Sequence, residues 1–250
     1  MSFVNVPNIP QNRVKSVLVD GRIDKNIEAG FEKNGISVIK TELYPALYAA
    51  VSYHPDIVFH HLGGNRIIHA PDTSINVIKR LSGLGFELVA GNSELCRNYP
   101  GNIRYNAARV GNIAFHNTKY TDAVLRENLE NMGVELVHVN QGYAKCSVSI
   151  VDENSIITMD KGIARTAEAK GLEVLVIEEE NIRLPGLDKG FIGGSTGLLD
   201  RNKWAITGNI EKLASFYKVY DFLHKKGIEI VCLSKEDVID IGSIIPIITV

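Results

Sequence analysis

Few side chains in this sequence are suited to covalent or proton-transfer chemistry. Cys146 stands beside Lys145, and a neighbouring ammonium lowers a thiol's pKa toward the nucleophilic thiolate. His60 and His61 are imidazoles that could serve it as base, and Asp240 is a carboxylate available for proton transfer. The alternative for Cys146 is a small core residue alternating with Val148 and Ile150 along a strand, since unreactive cysteines are among the most buried residues. His60 and His61 are adjacent, so in a regular strand they face opposite sides and at most one lines a given site. No metal is expected, because His54, His69 and His116 show no ligand spacing of the HExxH kind. No cofactor is expected either: Gly193-Gly194-Ser195-Thr196-Gly197 offers backbone N–H groups but has neither the P-loop lysine nor GxGxxG spacing.

The elements that must position these residues repeat. Five times a helical stretch ends at a glycine followed by a short β-type run, at Gly35, Gly85, Gly133, Gly171 and Gly227. Glycine suits a helix end because the left-handed conformation needed there costs it least. Upstream, Ile23, Ile27 and Phe31, then Leu125, Leu129 and Met132, then Leu213, Phe216, Tyr220 and Leu223 stand at helical spacing. The helix of the fourth module is expected near Ile163 to Lys170. Asp72-Thr73-Ser74 and Thr121-Asp122 supply oxygens for N-caps.

A second phrase is a hairpin with a polar turn ending in Asn. It joins Ile57-Val58-Phe59 to Ile67-Ile68, Asn106-Ala107-Ala108 to Ile113-Ala114-Phe115, Val148-Ser149-Ile150 to Ile156-Ile157, and Gly197-Leu198-Leu199 to Trp204-Ala205-Ile206. The fifth module lacks its final strand, while Val17-Leu18-Val19 near the N-terminus has no hairpin partner. Pairing the two ends predicts a single α/β domain over residues 1–250, a fivefold pseudosymmetric α/β propeller of ββαβ-type modules closed by the N-terminal strand.

Composition is compatible with this and excludes other classes. Hydrophobic residues make up 45% and charged residues 22%, ordinary for a globular chain, which sets aside disordered and fibrous proteins. A net charge of -2 provides no global field for nucleic acid or anionic lipid. Three cysteines without CxxC spacing indicate neither a disulfide framework nor a structural zinc site. With no signal sequence and no apolar run near the roughly 20 residues a membrane span needs, a cytoplasmic location is expected. Glu178-Glu179-Glu180 reads as a solvated loop.

Five such modules resemble the pentein superfamily of guanidine-modifying enzymes, which also contains a non-catalytic ribosome anti-association factor. Pro55-Asp56-Ile57-Val58-Phe59 is similar to the first-module strand of the amidinohydrolases, and Ser195-Thr196-Gly197-Leu198 to the fourth-module segment after their histidine. The resemblance implies a last-module cysteine that attacks the guanidinium carbon, a fourth-module histidine, and carboxylates that hold the cation. This chain departs on each count. Asp240-Ile241-Gly242-Ser243-Ile244-Ile245-Pro246 holds no cysteine, the histidine would fall near Gly193, and Arg104-Tyr105-Asn106 presents an amide in place of a carboxylate.

Residues that open the hairpin strands should ring the module axis. They include His60, His61, Arg104, Tyr105, Asn106, Lys145, Cys146, Gly193, Gly194, Ser195, Asp240 and Ser243. Two functions follow. In the first, His61, Arg104, Tyr105, Asn106, Lys145, Gly193, Ser195 and Ser243 bind a small polar molecule in an axial cavity without thiol chemistry. In the second, an amidinohydrolase- or amidinotransferase-like enzyme acts on a guanidine, amidine or amino-acid-like substrate through a rearranged set of Cys146, His60 and Asp240.

Overall fold

The computed structural model describes residues 2–250. The chain begins with strands β1 (Ser2–Phe3) and β2 (Val14–Val19), helix α1 (Lys25–Lys33) and strand β3 (Ser37–Lys40). A second module follows as helical turn α2 (Pro55–Val58), β4 (Phe59–Gly63), β5 (Arg66–His69), α3 (Ile75–Gly83) and β6 (Glu87–Ala90). A third comprises β7 (Ala108–Val110), β8 (Ile113–His116), α4 (Ala123–Asn131) and β9 (Glu135–His138). A fourth is α5 (Ala144–Ser147), β10 (Val148–Asp152), β11 (Ser155–Thr158), α6 (Lys161–Ala169) and β12 (Glu173–Val176). The last has a 3-10 turn at Gly193–Ser195, β13 (Thr196–Asp200), β14 (Lys203–Ile206), α7 (Phe216–Lys225) and β15 (Glu229–Cys232), and the chain ends on β16 (Ile245–Thr249).

The fold is mixed α/β, with five separate sheets. In each, an antiparallel pair is extended by a parallel strand that arrives through the helix. The terminal sheet has the order β1-β16-β2-β3, so the C-terminal strand does pair with the N-terminal one, with Ile245 opposite Leu18.

The repeated glycines end the five longer helices, α1, α3, α4, α6 and α7, in the same way. All five have positive φ, from 66° at Gly227 to 94° at Gly85. In each, the glycine N–H and the next N–H reach back to the last helical turn, as in Gly35 to Glu32 and Ile36 to Phe31. This is the Schellman arrangement, and the residue after the glycine (Ile36, Phe86, Val134, Leu172 and Ile228) is buried each time. The turn asparagines have a further role: the carbonyls of Asn65, Asn112, Asn154 and Asn202 each accept the N–H of the Glu that begins the parallel strand.

Several boundaries shift. Ile57 and Val58 lie in α2, because Pro55 sets the first helical position of a short turn, and β4 starts at Phe59. Ile23 and Leu213 precede their helices, and Met132 caps the C-terminus of α4 with its side chain exposed. Glu179 is buried, and its carboxylate accepts from the Ser215 hydroxyl and N–H as well as the N–H groups of Glu180 and Asn181, so this part of the acidic run is structural.

Neighbouring sheets meet through packed and hydrogen-bonded side chains. Trp204 on β14 is fully buried and donates its indole N–H to Ser149 Oγ on β10 at 2.8 Å, while Thr196 Oγ1 bonds the same hydroxyl at 2.7 Å. No helix among the described residues is long and apolar enough to cross a membrane.

Candidate functional site

The loop that leaves the third strand of each module runs straight into the turn that opens the next hairpin. These turns bring together Asp56, Asn106, Lys145 with Cys146, Gly193 with Gly194, and Ser243, all buried. Hydrogen bonds connect them in a closed circuit. Asn106 Nδ2 donates to Asp56 O, and Asn106 Oδ1 accepts from Lys145 N. Lys145 Nζ lies 3.5 Å from Gly193 O, Ser243 N donates to Gly194 O, and Ser243 Oγ lies 2.6 Å from Asp56 Oδ2.

The Ser243 hydroxyl is the junction. It accepts from Lys145 Nζ at 2.9 Å, and its single proton is best used on the carboxylate of Asp56 because a charged acceptor makes the stronger bond. Its backbone sits at φ 77°, unusual for serine. Asp56 Oδ2 also faces Cys146 Sγ at 3.2 Å, and Asn106 Nδ2 is 3.3 Å from the sulfur.

This setting does not activate the thiol. Burial pushes the Cys146 pKa well up, and the carboxylates of Asp56 and Asp240 push it further, the reverse of the lowering that an adjacent lysine suggests. The Lys145 ammonium turns to Ser243, and burial lowers its own pKa against the pull of Asp56. Neither His60 nor His61 makes a hydrogen bond to Cys146. His61 Nε2 meets Gly64 O at 3.0 Å and its ring packs edge-on to Phe86, while His60 Nε2 has no partner. Burial depresses their pKa values to about 4 and about 3.

Three expected members turn their polar ends to other partners, although Tyr105 still lines a small cavity with Asp56, His60, His61 and Lys145. The Arg104 guanidinium lies over the Tyr120 ring, the Tyr105 hydroxyl donates to Ser93 O, and Ser195 Oγ donates to Phe191 O. Asp240 is at the circuit's edge, its oxygens accepting from Gly242 N and Phe191 N, with burial raising its pKa. It fills the space a side chain at Gly194 would need, since a Cβ there would lie 2.0 Å from Asp240 Oδ1, and one on Gly193 would lie 2.3 Å from Val148 O.

His54 and Asp56 were not foreseen as site residues. His54 is buried against Gly242, with Nε2 3.8 Å from Asp20 Oδ2 and Nδ1 3.9 Å from Asp240 Oδ1, and neither nitrogen is hydrogen-bonded. Ligand atoms of His54, Asp56 and Cys146 all lie within 4.8 Å of one another, a geometry able to hold a cation. The signal was the run His54-Pro55-Asp56 directly before a strand, where proline forces a turn that projects its neighbours.

Two cavities adjoin the circuit. One of about 20 Å³, room for about one water, is bounded by Asp56, His60, His61 and Lys145 beneath Pro7 and Asn8. The other, about 160 Å³, has Asp20, Arg22, Asp24 and Asp240 among walls of Ile27 and Leu184. There Arg22 pairs with both oxygens of Asp20, donates to the carbonyls of Ala49 and Ala50, and lies 4.7 Å over the Tyr53 ring.

Comparison with known proteins fits this architecture. The family model described as "Family of unknown function (DUF6873)" matches residues 18–245. No curated protein matches by sequence. Among solved structures, the chain is similar to the inosamine-phosphate amidinotransferase StrB1 of Streptomyces griseus, with TM-score 0.59, 11% identity and coverage of 94% of this chain and 92% of that one. It is similar to SxtG, an amidinotransferase of Microseira wollei in saxitoxin biosynthesis, at 0.55, 13%, 92% and 91%. It is also similar to the agmatine deiminase of C. jejuni, at 0.54, 10%, 94% and 90%. These are pentein-superfamily members, and the chain shares their fold.

Proposed function

The chain belongs to the DUF6873 family and has the pentein fold, and from that premise we propose that it binds a small cationic molecule of the guanidine, amidine or amino-acid type without thiol attack on it. The observation that carries this is the cavity of about 160 Å³ beside Asp240, where carboxylates meet apolar walls. Asp24 and Asp240 suit an ammonium or amidinium, Ile27 and Leu184 an aliphatic stem, and Arg22 a ligand carboxylate. Arg22 itself is a guanidinium already held at this place by a carboxylate, two carbonyls and a ring. The high thiol pKa of Cys146 argues against the usual covalent step.

The proposal includes one domain over residues 1–250, its modules arranged as a closed propeller about the Asp56–Asn106–Lys145–Gly193–Ser243 circuit. It also places the protein in the cytoplasm, in keeping with three free cysteines, with a small polar molecule as its partner and no membrane or nucleic acid.

Calorimetric titration with agmatine, arginine and guanidinium tests the binding. Asp24→Asn keeps the N-cap of α1 and removes one charge, so affinity should fall about tenfold, the equivalent of about 1.4 kcal/mol. A second reading, turnover by a rearranged set, draws on one observation: Ser243 Oγ within 2.9 Å of Lys145 Nζ and 2.6 Å of Asp56 Oδ2 at a strained backbone. Urea, ammonia or citrulline-type product that disappears in Ser243→Ala would favour it.

A further inference from the structure

We infer that His54, Asp56 and Cys146 form a binding site for one transition-metal ion of the zinc class. Thiolate, imidazole and carboxylate are the donors zinc uses, and three protein ligands with a fourth position left for water or an entering group is its common catalytic arrangement. Bond lengths of about 2.0 to 2.3 Å place tetrahedral ligand atoms roughly 3.5 Å apart. Here Cys146 Sγ and Asp56 Oδ2 are 3.2 Å apart, and the whole set lies within 4.8 Å, so side-chain rotation of about an ångström closes it.

The second support is a deficit in hydrogen bonding. His54 is 1% exposed and Asp56 2%, yet both ring nitrogens of His54 and Asp56 Oδ1 have no hydrogen-bond partner. Buried polar atoms left so are costly, and a cation relieves them together. Whichever nitrogen takes the metal, the other faces a carboxylate, Asp20 from Nε2 or Asp240 from Nδ1. That is the carboxylate–histidine–metal arrangement that orients a ligating imidazole. Asp20 and Asp240 are themselves fixed, by Arg22 and by the N–H groups of Gly242 and Phe191. Coordination releases the Cys146 thiol proton to solvent, leaving a neutral site of Zn²⁺, thiolate, carboxylate and imidazole.

The test uses the full chain with exposed Cys96 and Cys232 changed to serine, stripped with chelator and loaded with Zn²⁺ or Co²⁺. The site predicts one equivalent of metal per chain, release of one thiol proton, and a thiolate-to-cobalt charge-transfer band. Cys146→Ser should abolish the band, and one of Asp240→Asn and Asp20→Asn, the one that faces the unligated nitrogen of His54, should weaken zinc roughly 10- to 100-fold. Absence of stoichiometric uptake, or cobalt bound without the thiolate band, overturns the inference from the Cys96→Ser/Cys232→Ser protein alone, whether or not Cys146→Ser folds. Titration of His54 as an imidazolium between Asp20 and Asp240 in metal-saturated protein, followed by NMR, would also overturn it. None of these readouts requires a ligand in the larger cavity, so failure here leaves the function proposed above standing, and the reverse.

Discussion

Acidification should destabilise this protein well before its carboxylates titrate. His60, His61 and His116 are buried and held neutral, with pKa values of about 3, about 4 and about 4, burial being the leading cause in each. In the unfolded chain each would titrate near 6.5. Between those values the unfolded state binds more protons, so stability rises with pH through this window and is lost as pH falls below about 6.5. At pH 5.0 each histidine costs about 2 kcal/mol, and the three together about 6, against a total stability of about 5–15 kcal/mol for typical domains. Asp240 works against this, since its raised pKa gives the folded state an extra proton on acidification. Urea unfolding at pH 7.5, 6.5, 5.5 and 5.0, followed by the fluorescence of Trp204, the sole and fully buried tryptophan, measures the loss. His60→Gln should reduce the slope near pH 5 by about 1.4 kcal/mol per pH unit. A total change below about 1.5 kcal/mol between pH 7.5 and 5.0, or an unaltered slope in His60→Gln, would refute the reasoning.

Two further outcomes follow from the space around two glycines. Gly194→Ala places a methyl 2.0 Å from Asp240 Oδ1, on a carboxylate whose two oxygens are held by Gly242 N and Phe191 N, and should cost about 3 kcal/mol in urea unfolding. Gly83→Ala, in open space at the end of α3, should instead stabilise by about 0.5 kcal/mol. Native protein treated with a thiol reagent should label at exposed Cys96 and Cys232, while buried Cys146 reacts only at the rate of unfolding, as peptide mass mapping would show.

The repeat was legible because each module expresses it in local chemistry. Gly35, Gly85, Gly133, Gly171 and Gly227 mark helix ends by a backbone requirement that any sequence window displays, and Asn65, Asn112, Asn154 and Asn202 mark the hairpin turns. Pairing of β16 with β2 was legible too, because a hairpin half was missing at each end. Helix ends were less so: Ile23 and Leu213 share the apolar face of their helices but sit in the preceding turns, where periodicity does not distinguish them.

The site was legible in part. Asn106, Lys145, Cys146, Gly193, Asp240 and Ser243 gather because the modules present equivalent turns. Arg104 and Tyr105 have the same position in sequence, but local partners Tyr120 and Ser93 draw them off. Asp56 was hidden by reading Ile57 and Val58 as strand when Pro55 makes them a turn. The thiol's environment depends on Asp56, 90 residues away in sequence, which no spacing within one module discloses.

The most direct test of the proposed function is equilibrium titration of the full chain with agmatine, with mass analysis of the mixture afterwards. The account predicts saturable binding, about tenfold weaker for Asp24→Asn and lost when Leu184→Trp fills the cavity, with agmatine recovered unchanged. Binding unaffected by both substitutions, no binding of agmatine, arginine or guanidinium, or conversion of agmatine to a deiminated or amidino-transferred product would contradict it.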